Sequence, residues 1–153
     1  MCERSENFNR RAMNTFSVKS ATAKIEISKP HFFVLCKGLN SGKPIAEKCP
    51  NSFIILAETE EFKETLYWIT FALWRTKAFH PFLMGSVIPF IRIGIYKQLI
   101  FEKLEIVKTN PIKFAETIKQ LSFIEMKEKQ LKENLKLIQD LKRAYIYSYF
   151  NKK

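Results

Sequence analysis

Acidic side chains are scarce in this chain: Asp140 is its one aspartate, and 15 acidic residues stand against 26 lysines and arginines in 153 residues, a formal charge of +11. A metal-dependent nuclease needs several carboxylates converging on magnesium. Asp140 lies in a charged C-terminal stretch, and Glu58, Glu60, Glu61 and Glu64 crowd together where a helix would begin. They read as a solvated helix start, and Glu61-Phe62-Lys63 is an acid-x-Lys triplet without its companions. Cysteine is also sparse. Cys2, Cys36 and Cys49 are odd in number and too few for a disulfide framework, which suits a reducing compartment. The two histidines, His31 and His80, share no CxxC or HxxxH spacing with those cysteines, so no two zinc ligands are fixed locally. Neither histidine adjoins a Ser or Cys in a nucleophile motif. No apolar run approaches the roughly 20 residues that cross a bilayer, and the opening MCERSENFNRR lacks the apolar core of a signal peptide. The expectation is a cytoplasmic protein that is not an enzyme, with no metal, no cofactor and no membrane insertion.

Glycine is rare too, with four in the chain, yet two of them frame Gly38-Leu39-Asn40-Ser41-Gly42-Lys43 after an apolar run. A phosphate-binding loop needs four residues between its glycines and a Ser or Thr after the lysine to hold magnesium. Here there are three, followed by Pro44, so the segment reads as a connecting loop.

What is present is apolar and aromatic. Phe62, Leu66, Ile69 and Leu73 recur at helical spacing, and Tyr67, Trp68, Phe71 and Trp74 cover much of the remaining cylinder. A helix from Glu60 to Lys77 with no consistent polar face predicts the most buried element of the fold, with a small sheet packed on it. Thr59 is its N-cap, Glu60 and Glu61 suit its first turn, and His80-Pro81 stops it.

Read in order, residues 1–23 mix Ser, Asn, Thr and Arg without a period and are expected to form a flexible basic tail. The α+β body is expected over 24–108. Lys24-Ile25-Glu26-Ile27 alternates, Phe32 to Cys36 is an apolar run of strand length, and Ser52 to Ala57 is a second buried strand. Beyond Gly85-Ser86, the β-branched and aromatic run Val87 to Ile93 reads as an edge strand or bulge interrupted by Pro89. Tyr96, Leu99, Ile100, Lys103, Leu104 and Val107 fit a short helix, and Asn110-Pro111 is a start signal for another.

The region 109–153 is expected to be a helical hairpin or a coiled-coil-like helix, with a docking segment from Ser122 to about Tyr149. Ile124, Leu131, Ile138 and Tyr145 lie at steps of seven, with Leu135, Leu141 and Tyr149 beside them and charged residues filling the remainder. Such a seam is made for another helix, in the same chain or in a second copy.

Three features together resemble the DNA-specificity subunits of type I restriction-modification systems. Asn40-Ser41-Gly42-Lys43-Pro44 is similar to the Ser-Gly-x-(Thr)-Pro turn near the start of their target-recognition domains. Leu66-Tyr67-Trp68-Ile69 through Gly85-Ser86 to Ile91 resembles the helix, Gly-Ser turn and strand that end those domains. Lys129 to Phe150, closing in Leu-Lys-Arg-Ala-Tyr-Ile-Tyr-Ser-Tyr-Phe, resembles their C-terminal conserved helix. The recognition domain is much shorter here, Gly94-Ile95 stands where an acidic residue is common, and the Pro-Leu-x-Glu-Gln start of the conserved helix is missing. The chain also resembles small uncharacterised families carried on bacterial mobile elements.

The first resemblance implies a truncated half of a specificity subunit: a non-catalytic module that binds double-stranded DNA and pairs with a partner subunit or a second copy through its last helix. A pI near 9.6 independently favours a polyanion, either nucleic acid or an acidic membrane surface. Lys37, Lys43, Arg75, Lys77 and Arg92, at loops and element ends around the aromatic core, are the DNA-binding candidates. Ile124, Leu131, Leu135, Ile138 and Tyr145 are the seam candidates. The other reading is a protein-interaction or homodimerising accessory protein of a mobile element with no nucleic-acid role.

Overall fold

The computed structural model describes residues 16–21 and 28–150, which form an α+β fold. The chain divides into two compact units, 1–109 and 110–153.

The first unit is built on a four-stranded antiparallel sheet, β1 (Ser17–Ser20), β2 (His31–Leu35), β3 (Pro44–Ile45) and β4 (Ser52–Leu56), in the order β1-β4-β2-β3. The central pair explains why the two apolar runs do not alternate. Phe32 stands opposite Ile55 and Val34 opposite Phe53 on one face, while Phe33 stands opposite Ile54 on the other. All six side chains are buried. A strand covered on both faces has no reason to spare a polar position. The second face carries its own cluster, Ala21, Phe33 and Ile54, with Ile45 and Leu56 at its margin.

Two helices cover the first face. Helix α1 (Glu60–Arg75) packs on β2 and β3, α2 (Ile93–Thr109) packs on β1, and the helices pack on each other. Tyr67 of α1 meets Phe32 edge-on, and Tyr96 of α2 meets Phe53 and stacks on Phe79. Thr70 and Tyr96, both buried, join the helices through a 2.7 Å hydrogen bond. Because the Thr70 hydroxyl also lies 2.8 Å from the Leu66 carbonyl, it donates there and accepts from Tyr96. Every polar atom of this buried link is thereby satisfied.

Four expectations are corrected. The tail assigned to 1–23 is too long: Ser17–Ser20 is a strand paired along β4, although only Val18 of it is buried. A single buried side chain leaves no period to read. Residues 1–15 of that tail, and the alternating Lys24 to Ile27, lie outside the described residues. Helix α1 is not the most buried element, since only Leu66, Ile69, Thr70 and Leu73 are enclosed. Tyr67, Trp68, Phe71 and Trp74 are half-buried and pack partly on one another, the rings of Trp68 and Phe71 lying 5.4 Å apart. The helix begins as expected, with the Phe62 N–H donating to Thr59 Oγ1, but it ends at Arg75, before His80-Pro81. Lys77 turns the chain with φ of +56°, and His80–Phe82 is a separate short 3₁₀ turn.

The run Val87 to Ile93 is not a strand. Met84 and Phe90 exchange a pair of backbone hydrogen bonds around a tight loop containing Gly85 at φ +95° and Pro89. Val87 and Ile88 sit at its exposed tip, and α2 begins at Ile93. β-branched residues favour a pleated, half-buried surface, and Val87 and Ile88 meet none here.

The second unit contains α3, one helix from Pro111 to Phe150 and about 60 Å long at 1.5 Å per residue. Over 111–150 there is no hairpin. Asn110 caps it, the Lys113 N–H donating to Asn110 Oδ1 at 3.1 Å.

Candidate functional site

The loop Gly38–Lys43 connects β2 to β3, and four of its backbone amides donate to carbonyls of the chain. Ser41 N–H donates to Gly38 O, Gly42 N–H to Leu35 O, Lys43 N–H to Asn40 O, and Gly38 N–H to Pro89 O. A phosphate cradle needs such amides pointing outward. Ser41 is itself buried, its hydroxyl donating to Gly38 O at 2.7 Å. Gly42 lies flat under Phe79: a Cβ there would come within 2.1 Å of the ring.

This turn places Lys43 against α1. Lys43 Nζ stands 5.3 Å from the centre of the Trp74 ring, and the Arg75 guanidinium stands 5.4 Å from the same ring and 5.6 Å from that of Phe71. Two of the five cationic candidates are therefore brought together on one half-buried indole, within cation–π range. Lys77 follows two residues after Arg75 in its left-handed turn, exposed. Lys37 and Arg92 are linked to each other through the backbone instead. Lys37 forms a bridge with Phe90, two residues before Arg92, and both cations are exposed. The Gly38 N–H donates to Pro89 O, which ties this loop to the one that carries Val87 and Ile88, and Leu39, Val87 and Ile88 are all exposed. Sequence reading missed them because each sits singly in a loop or within a run that looks like a strand.

Two of the carboxylates around the start of α1, Glu58 and Glu60, are paired with lysines. Both oxygens of Glu58 accept from Lys29 Nζ, at 2.8 and 2.9 Å, and Glu60 pairs with Lys63 one turn on. Among the described residues no group of three or more His, Cys, Asp or Glu stands close enough to hold a metal ion. Burial pushes the Cys36 thiol up, against the smaller pull of Lys37, which is the opposite of what an activated nucleophile requires. Tyr96 is pushed up as well, by complete burial opposed only in part by its bond to Thr70. No described helix is long and apolar enough to cross a membrane.

Helix α3 has no buried residue. Leu131, Leu135 and Ile138 are 68, 56 and 51 % exposed, and Ile124, Leu141, Tyr145 and Tyr149 are exposed as well. The helix brings the five seam candidates onto one side: Ile124, Leu131, Ile138 and Tyr145 at sevens, with Leu135 four residues after Leu131 and three before Ile138.

Residues 18–148 match the model of a family of unknown function, DUF6943, and the chain belongs to that family. No curated protein and no solved structure matches it significantly.

Proposed function

We propose that this DUF6943 protein is a non-catalytic, cytoplasmic interaction protein in which a small α+β body carries a long docking helix. The observation behind this reading is the exposed seam of α3. A 40-residue helix that holds Ile124, Leu131, Leu135 and Ile138 in water forgoes about 1.5–3 kcal/mol per large apolar side chain relative to full burial. Helices in proteins owe most of their stability to packing of such a face, so the seam calls for a partner helix. The test is sedimentation of the full chain with Leu131→Asp and Ile138→Asp together. Association of the parent is expected to be lost in the double variant while the body keeps its melting transition. Association unchanged by the two aspartates would sink the reading.

A second reading has its own support. Lys43 and Arg75 flanking Trp74, on a chain of +11 formal charge, form a cationic and aromatic face suited to a nucleic-acid backbone and its bases. The body then acts as the DNA-binding part, as the likeness to restriction specificity subunits implies, and α3 as the part that assembles it. Binding of a random duplex across a salt series tests this. Affinity that does not fall with salt counts against it.

A further inference from the structure

Two charged residues interrupt the seam of α3, and their positions specify what covers it. The row parallel to Ile124, Leu131, Ile138 and Tyr145 is Leu121, Glu128, Leu135, Lys142 and Tyr149, again at steps of seven. Together the two rows form the alternating three-and-four spacing of a coiled-coil face, apolar except at Glu128 and Lys142. Two such helices placed parallel and in register set Glu128 against Glu128 and Lys142 against Lys142, like charges in the least hydrated part of an interface. Reversed, they meet with opposite charges.

We infer that α3 is covered by the α3 of a second copy, running antiparallel. This rests on the reading of α3 as a docking helix and adds its partner and orientation. In an antiparallel pair each residue of one row faces a residue of the other row. The register that uses the seam from Ile124 to Tyr149 sets Leu135 against Ile138, Leu131 against Lys142, Glu128 against Tyr145 and Ile124 against Tyr149. Glu128 and the Lys142 of the second copy are then three residues out of level, about 4–5 Å along the axis at 1.5 Å per residue, within reach of two long side chains. The same contact occurs twice by symmetry. Within its own chain Glu128 already pairs with Lys132, one turn on and beside the seam. Lys132 is itself largely exposed, and an exposed pair of this kind within one helix is weak enough to give way to one across the interface.

The test is a charge exchange in the full chain, read by sedimentation equilibrium. Glu128→Lys alone and Lys142→Glu alone are each expected to weaken the dimer by at least about tenfold, since each sets like charges together, and the two together should restore it. A parallel dimer gives singles that differ little from the parent, and that result overturns the inference. A parent that stays monomeric at every accessible concentration also overturns it. If Leu131→Asp with Ile138→Asp breaks the dimer but the charge variants do not, the docking reading stands and the antiparallel pairing falls. Failure of the two aspartates to break it removes both. A nitroxide on Ile124→Cys, in a chain with Cys2, Cys36 and Cys49 changed to Ser, gives an independent readout. Its distance to the label on the other copy is expected near 40 Å, roughly 25 residues at 1.5 Å each, whereas a parallel pair brings the labels to about 10 Å, the separation of packed helices.

Discussion

Gly38 and Gly42 both hold positive φ, +89° and +92°, yet they answer different requirements. Around Gly38 a Cβ would meet nothing within 4 Å, so Gly38→Ala costs only the backbone strain, about 1–2 kcal/mol. At Gly42 the same methyl collides with the Phe79 ring, and Phe79 is fully buried against Tyr96, so the ring cannot give way cheaply. Thermal melts should therefore rank Gly42→Ala well below Gly38→Ala, and equal melting temperatures would contradict the packing of the turn under Phe79. The Thr70–Tyr96 pair permits a second comparison. Thr70→Val strands the buried Tyr96 hydroxyl and should cost about 1–3 kcal/mol, whereas Thr70→Val with Tyr96→Phe replaces both partners by apolar groups and should recover much of that. Tyr96 also ties stability to pH. Its folded pKa lies above the ordinary value of 10.0, so above that pH the unfolded chain loses a proton that the folded one keeps. Stability conferred by the neutral phenol is complete below pH 10 and declines as pH rises beyond it, by at most about 1.4 kcal/mol per unit. Urea unfolding at pH 8 and pH 11 should show a smaller alkaline loss in Tyr96→Phe than in the parent.

At the level of elements, burial on α1 decides which substitution hurts. Leu66 is fully enclosed and Trp68 only half, so Leu66→Ala should cost about 3–5 kcal/mol, in the range for buried leucines, and Trp68→Ala less, despite the larger side chain. Thermal unfolding that ranks the two the other way would return α1 to the centre of the fold. This ordering could not be read from sequence, because Leu66 and Trp68 are apolar residues two apart in one helix whose difference lies in which side meets the sheet. What sequence revealed were elements with a strong local cause. Thr59 and Asn110 cap their helices through side-chain hydrogen bonds, and the uninterrupted apolar runs of β2 and β4 belong to strands covered on both faces. Hidden elements had weak local causes. β1 and β3 are short strands at the margins of the sheet, held by their register with β4 and β2. The turn that ends α1 places a lysine, not a glycine, in the left-handed region. Among site residues, the seam of α3 was legible since helical periodicity alone defines it. The meeting of Lys43 with Arg75 over Trp74 was not, because it depends on how β3 lies against α1.

For the molecule as a whole, positive charge is the most general property and the least specific one. A formal +11 attracts any polyanion, so the body reading needs a contrast between cations that touch a partner and cations that only add to the field. Lys43 and Arg75 share the Trp74 ring, whereas Lys97 is exposed on α2 and serves as the control. If phosphates are bound at the indole face, Lys43→Ala and Arg75→Ala should each weaken binding to random duplex uniformly across sequences. Each should also flatten the slope of log affinity against log salt by about 0.9, the counterions released per phosphate contact. Lys97→Ala should leave that slope unchanged. Trp74→Ala adds a separate discrimination: a ring that stacks on bases favours single strands, and its loss should cost about 1–3 kcal/mol there. A ring that only supports its two cations should weaken duplex and single strand alike. Melting curves of all four variants must overlay the parent for the slopes to be read as contacts. Equal, small losses at Lys43, Arg75 and Lys97 would mean that the charge acts as a diffuse field and that the body holds no nucleic-acid site at Trp74.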